Sequence, residues 1–267
     1  GGVKQSEMDF KTLKLEFDAG IATLTLTRPE KRNAISTQMI DDVITALAEA
    51  QASVARVVIL TGEGKAFCSG MDLDELRAIA TRSPAEHLQD SRRMAQLFRT
   101  IYSFPKPTIA AVNGAAIAGG CGIATLADFT IAVPTAQFGY TEVRIGFVPA
   151  LVSVFLRRQI GDKRTRDLAL SGRLIDAAEA RAMGLINDVV PNDDLIPAAR
   201  RLAATLITSS PASLETTKRL LLEMSEAELD REISMAIEEN SAIRSTPDFS
   251  EGLSAFLEKR APKWSDQ

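Results

Sequence analysis

Apolar and polar residues alternate over residues 10–17 and again over 21–27, on either side of Asp18-Ala19-Gly20. A period of two around a turn signal predicts two strands joined as a hairpin, which Arg28-Pro29 ends. The period then changes. Met39, Ile40, Val43, Ile44 and Leu47 fall on one face of a helix that Ser36 caps, and the apolar run at 57–60 predicts a strand buried on both faces. Strand, helix and strand make a crossover unit. A second helical stripe, Met94, Leu97, Phe98 and Ile101, stops before Pro105 and Pro107, and a strand is expected over 108–112.

No residue from 108 to 127 carries a charge, a run long enough to be weighed as a membrane span. Asn113-Gly114 and the glycines 119, 120 and 122 interrupt it, so a strand, a turn and a buried helix are expected, with no membrane partner. Beyond it the pattern predicts a helix over 149–171, a strand at 186–190 and then helices. Leu229, Ile233, Ala236 and Ile237 form one stripe, and a last helix runs over 252–259. An α/β core over 3–190 and a helical region over 191–267 suited to self-association follow from this division.

Composition adds exclusions. With 267 residues, 45% apolar and 25% charged, the chain reads as an ordinary globular protein rather than a disordered or membrane-embedded one. Its 31 Lys and Arg against 35 Asp and Glu leave −4, so no overall field draws nucleic acid, and an anionic ligand needs a local basic cluster. Two cysteines make no disulfide framework and no secretory leader opens the sequence, so a cytoplasmic location is expected. The single histidine, His87, lies in the polar stretch Ser83-Pro84-Ala85-Glu86-His87-Leu88-Gln89-Asp90 and reads as a solvated residue at a helix start. Neither a metal site nor a His-based triad is expected on it.

Two glycine-bearing turns each follow a strand and lead into a helix: Thr61-Gly62-Glu63-Gly64-Lys65-Ala66-Phe67-Cys68-Ser69-Gly70-Met71-Asp72-Leu73, and Asn113-Gly114-Ala115-Ala116-Ile117-Ala118-Gly119-Gly120-Cys121-Gly122. Each alone is more often a plain tight turn; together, their free helix-start N–H groups can converge on one oxygen. Nucleotide motifs fail on spacing, because Ala66 follows Gly64-Lys65 and neither turn completes G-x-G-x-x-G. Ser69 lacks the flanking glycines of a hydrolase elbow.

At these residues the sequence resembles the crotonase, or enoyl-CoA hydratase/isomerase, family. The resemblance runs from about Arg28 to the C terminus, through Arg28-Pro29-Glu30-Lys31-Arg32-Asn33-Ala34, Lys65 to Leu73, Asn113-Gly114 to Cys121, Gln137-Phe138-Gly139, Glu142, and Phe256-Leu257-Glu258-Lys259-Arg260. It implies a crotonase-like spiral of β-β-α turns with a helical C-terminal trimerisation region, a homotrimer or dimer of trimers, and a coenzyme A thioester as substrate with no separate cofactor. Carried over, the oxyanion hole falls on the backbone N–H groups of Met71 and Gly119, and the general acid/base on Glu142. Without the resemblance, Glu142 reads as a loop carboxylate paired with Arg144. Coenzyme A contacts fall on Arg32, Ala34, Ala66, Ser69, Gly70, Asp72, Leu73 and Gly120, with Phe256 and Lys259 reaching a neighbouring subunit's ligand. Lys31, Arg32, Lys65, Lys259 and Arg260 would supply phosphate attraction.

Two departures matter. Family hydratases usually carry a second glutamate three residues after the oxyanion glycine, where this chain has Gly122. One carboxylate suits a 1,3-proton shift better than syn addition of water, so Δ3-Δ2 enoyl-CoA isomerisation is preferred to 2-enoyl-CoA hydration by Glu142 with a compensating water. Cys121, Thr125 and Asp128 are the neighbours that could substitute. The segment Phe147-Val148-Pro149-Ala150-Leu151-Val152 is bulkier than in glycine-rich relatives and should reshape the acyl pocket. A non-catalytic CoA- or RNA-binding scaffold is the competing class, disfavoured by the intact turns and the acidic net charge.

Overall fold

The computed structural model describes residues 1–265. The first strands are β1 (Lys4–Gln5), β2 (Leu13–Asp18) and β3 (Ile21–Leu26), followed by helix α1 (Thr37–Ala52), β4 (Val57–Gly62), β5 (Ala66–Cys68), α2 (Leu73–Ile79) and α3 (Pro84–Tyr102). Next come β6 (Thr108–Val112), β7 (Ala115–Ile117), α4 (Gly119–Leu126), β8 (Phe129–Ala132) and β9 (Gln137–Gly139), then α5 (Ala150–Ser171). The remainder is β10 (Ile175–Asp176), α6 (Ala177–Met183), β11 (Asp188–Val189), α7 (Leu195–Ile207), α8 (Pro211–Glu223), α9 (Glu226–Ala242) and α10 (Pro247–Leu257).

One step repeats along the chain: β4 then β5, β6 then β7, and β8 then β9 place a first strand in a seven-stranded sheet and a second in a four-stranded one, and a helix follows. The large sheet has the order β1-β2-β3-β4-β6-β8-β11, the small one β10-β9-β7-β5. The hairpin β2–β3 is antiparallel, as its alternation predicts, whereas β3, β4, β6, β8 and β11 run parallel. Every residue of β6 is buried, which explains its unbroken apolar run between layers of helix.

Some boundaries differ from the sequence expectation. Strand β2 starts at Leu13 rather than residue 10, because the Lys11 and Thr12 amides donate to the Asp42 carboxylate of α1 at 3.1 and 2.9 Å. The uncharged run holds one strand more than expected, β7, between its turn and its helix. Among the described residues no helix is long and apolar enough to cross a membrane. The long helix α5 contains a non-helical break at Gly161 (φ 82°, ψ 171°). His87 does sit in the first turn of α3, behind the Ser83 capping box, yet its side chain is buried rather than solvated. The reason is tertiary: α9 packs along α3, and Arg244 just beyond it stands beside the imidazole. Leu195, Ala199 and Ala203 of α7 and Leu229, Ile233 and Ala236 of α9 join the same hydrophobic core as β4 and β6.

Candidate active site

Parallel pairing of β5 with β7 makes the two glycine turns neighbours, since both chains leave the small sheet on the same side. The turns touch: a Cβ on Gly70, which has φ +97°, would lie 3.1 Å from the Ile117 carbonyl oxygen. After Gly70 the chain is pinned on both sides of Met71, because Ile35 N–H donates to the Gly70 carbonyl at 2.7 Å and Asp72 N–H to the Ile35 carbonyl at 2.9 Å. Asp72 then caps α2 through Asp74 N–H at 2.8 Å and pairs with Arg28 at 3.0 Å. On the second turn, Ala118 N–H donates to the Gly139 carbonyl at 2.8 Å and the residue adopts φ 53°, ψ −120°, a conformation unusual for a side chain with a Cβ. That rotation starts α4 at Gly119 with first-turn N–H groups that have no helical acceptor. Among the described residues, neither Met71 N–H nor Gly119 N–H donates a hydrogen bond to another protein group. Nothing in the sequence signals a positive φ at an alanine.

Glu142 opens the short 3-10 turn Glu142–Ile145 and is buried, with Oε1 lacking any partner. The pairing with Arg144 is not made; the Arg144 side chain lies against Gly172, 3.2 Å from where a Cβ there would sit. Burial away from water pushes the Glu142 carboxyl up to about 7, because the charged form loses more hydration than the neutral one.

Beside Gly122 the space is already filled: a Cβ there would stand 3.0 Å from Val152 Cγ1 and 3.1 Å from the Phe98 ring. None of the three possible substitutes lines the cavity. The Thr125 hydroxyl donates back to the Cys121 carbonyl at 2.9 Å. Asp128 accepts from Thr108 N–H at 2.8 Å and pairs with Lys218 at 2.6 Å. Cys121 is fully buried, its thiol pushed up to about 12 by burial.

Both turns and Glu142 border one cavity of about 550 Å³, a size suited to a substantial ligand. Lys31, Arg32, Ala34, Ser69, Gly70, Met71, Asp72 and Leu73 line one part of it. The wall also holds the apolar residues Met94, Phe98, Ile145, Phe147, Val148, Leu151 and Val152, together with Gly119 and Glu142. The segment 147–152 therefore does contribute wall to the pocket. Phe256 lines the cavity of its own chain.

Three of the expected contact residues stay out of the wall. Ala66 is buried in β5 opposite Ala115, and Gly120 is packed so closely that a Cβ would collide with the Cys68 carbonyl. Lys259 follows the end of α10 and is exposed, outside the lining. Of the other expected phosphate-attracting residues, Arg260 is engaged by Glu251 at 2.7 Å and Glu258 at 2.5 Å. Sequence reading missed Asn240 and Arg244, which also line the cavity from α9 and the turn after it. Among the described residues no group of three or more His, Cys, Asp or Glu could hold a metal ion.

Comparison with known proteins agrees with this architecture. The family described as Enoyl-CoA hydratase/isomerase matches residues 16–267. A Thermus thermophilus protein named as an enoyl-CoA hydratase is 42% identical over 91% of this chain and 97% of its own length. A Mycobacterium bovis protein with the same kind of name is 36% identical, covering 97% of this chain and 99% of its own. The crystal structure of an enoyl-CoA hydratase/isomerase from Xanthobacter autotrophicus Py2 superposes with a TM-score of 0.88 at 30% identity, covering 94% of each chain. A β-β-α repeat of this topology, with helices closing its C-terminal end, is the crotonase-like fold, and the chain is an enzyme of the enoyl-CoA hydratase/isomerase family.

Proposed function

We propose that this enzyme binds a coenzyme A thioester and moves a double bond within its acyl chain, converting a 3-enoyl-CoA to a 2-enoyl-CoA. In this reading the Met71 and Gly119 N–H groups hold the thioester oxygen, and their lack of other acceptors supports that role. Each such donor stabilises a developing enolate by on the order of 3 kcal/mol. The Glu142 carboxylate takes a proton from C2, the charge spreads to the bound oxygen and over the double bond, and the resulting carboxylic acid returns the proton to C4. Proton and electron counts balance with one shuttle, a contribution of about 10²–10⁴-fold. Lys31 and Arg32 attract the phosphates, and Ala34, Ser69, Gly70, Asp72, Leu73 and Phe256 surround the carrier.

The observation that carries the reading is the isolation of Glu142. Of the four acidic residues described in the cavity wall, Glu30, Asp72 and Asp74 belong to the segments around the turn Pro29–Lys31 and the start of α2. Glu142 is the one described acidic residue of the wall outside those segments; it is buried with Oε1 unpartnered, and beside Gly122 Phe98 and Val152 occupy the space a second carboxylate would need. Hydration of a 2-enoyl-CoA is the second reading, favoured by the hydratase names of the relatives. Parallel assays with a 3-enoyl-CoA and a 2-enoyl-CoA separate them. Faster bond migration, lost in Glu142→Gln, is expected; efficient water addition that needs Glu142 would install the second reading instead.

A further inference from the structure

The apolar wall of the cavity ends in polar groups. Phe98 and Met94 of α3 line it, and the next turn back on that helix brings Asp90 and Ser91 against α9. Ser91 is seven residues before Phe98, about 10 Å along the helix at 1.5 Å per residue. At that depth Asn240 and Arg244 face the cavity. The Arg244 side chain is only 3% exposed, lies 5.5 Å from the Phe147 ring centre, and donates through Nε to the Asn240 carbonyl at 3.2 Å and through Nη2 to Asn240 Oδ1 at 3.0 Å. Asn240 Oδ1 also accepts from the Ser91 hydroxyl at 2.7 Å. With its oxygen held by Arg244, which has only donors, the Asn240 amide must present nitrogen elsewhere, and among the described residues that Nδ2 donates to no protein group.

The surrounding charges leave donor capacity unspent. Asp90 accepts from Arg82 at 2.5 Å and stands 3.5 Å from Arg244 Nη1, so one carboxylate serves two guanidiniums, while Glu75 binds Arg82 at 2.9 Å. A smaller adjoining cavity of about 40 Å³ shares Ile35, Met71, Met94 and Arg244 with the main one, giving room for a small group beside the guanidinium. Burial lowers Arg244 to about 10, so it keeps its charge near neutrality. A hydrocarbon end lodged here would displace water from these donors without replacing its hydrogen bonds, a loss that discriminates strongly between substrates.

We propose that Asn240 and Arg244 form a subsite for an oxygen-bearing acyl end, so that the substrate chain terminates in a carboxylate or hydroxyl rather than a methyl group. This deepens the acyl-CoA reading above and rests on it. The decisive measurement is kcat/KM of the unaltered enzyme for three enoyl-CoA thioesters of matched length, ending in methyl, hydroxyl and carboxylate. A preference of at least about tenfold for an oxygenated end is expected, shared by both oxygenated chains if hydrogen bonding dominates and confined to the carboxylate if charge does. Equal or better turnover of the methyl-ended chain overturns the subsite while leaving the acyl-CoA reading intact. Absence of both turnover and binding for all three overturns that reading and the subsite with it. Arg244→Lys and Asn240→Leu, each checked for native folding by circular dichroism, should shrink the preference chiefly through KM; a preference unmoved by both assigns it elsewhere and also overturns the proposal.

Discussion

Glu142 occupies a place where ionisation is unfavourable, whereas the proton shuttle proposed for it requires that it ionise. A carboxyl raised from an ordinary value of 4.5 to about 7 is predominantly protonated in the folded protein at pH 5–6, when its unfolded counterpart has already lost the proton. The folded state then binds more protons than the unfolded state, so the contribution to stability is full below 4.5 and is lost as pH rises through 7. Over that window the change is about 3 kcal/mol at 1.36 kcal/mol per unit. Thermal unfolding of Glu142→Gln should therefore show a gain over the unaltered protein at pH 8 that vanishes near pH 4. In the proposed mechanism the same ionisation sets the rate, since abstraction of a proton needs the carboxylate: kcat/KM for bond migration should fall as pH drops through about 7, and a flat profile from pH 5 to 8 would separate Glu142 from that step. Ala118 carries the opposite kind of tension, in its backbone. A non-glycine residue at φ 53°, ψ −120° costs on the order of 1–3 kcal/mol, against about 0.4–1 kcal/mol for the extra unfolded-state freedom of glycine. Ala118→Gly is accordingly expected to stabilise the fold by about 1 kcal/mol, read as a higher urea midpoint, with Gly119 still opening α4.

Elements with a strong period were legible in the sequence, and those made by pairing at a distance were not. Strands β4 and β6 declare themselves as apolar runs, α1 as a stripe with a serine cap and α3 as a stripe that stops before two prolines, because local chemistry alone fixes them. The three-residue strands β5, β7 and β9 have no period to read; they exist through one another's hydrogen bonds. Their pairing is also what sets the two glycine turns together, so the residues of the candidate site could be named while their convergence could not be derived from either turn alone. His87, Asn240 and Arg244 failed for the same reason, since only the contact of α3 with α9 buries them. Helix α4 supplies a test at this scale. A glutamate at Gly122 must push Val152 and Phe98 aside from contacts of 3.0 and 3.1 Å at its Cβ alone, and overpacking of this kind costs about 1–3 kcal/mol. Gly122→Glu should thus lower the melting temperature, and its cost should be smaller when measured against a Phe98→Ala parent, already destabilised by loss of a core ring but with the space open, than against the unaltered protein. A Gly122→Glu variant as stable as the parent would mean that Phe98 and Val152 yield freely, and that the apolar filling of this space is not a constraint on the chemistry.

At the scale of the whole molecule, α8 stands apart from the other helices of the C-terminal region. Helices α7 and α9 bury residues in the main core, whereas no residue of α8 is buried. Leu220 and Leu221 are 52% and 62% exposed, and Met224 just beyond the helix is 70% exposed. Large apolar side chains gathered at one place mark a surface that another protein covers, and a closed ring of identical chains covers such a surface without leaving a free edge. We expect that partner to be another copy of this chain, in the trimer or dimer of trimers that the family resemblance implies. Light scattering at micromolar concentration should give the mass of three or six chains. Leu221→Glu combined with Met224→Glu, two exposed positions whose change leaves the chain's own core untouched, should shift the mass toward a single chain. Titration with a CoA thioester then asks whether assembly completes the site: if Lys259 reaches a neighbour's ligand, the dissociated variant should bind more weakly than the parent although every residue lining its own cavity is unchanged. A single-chain mass for the parent protein would remove this assignment of the α8 surface, and an unaltered thioester affinity after dissociation would confine binding to residues of one chain.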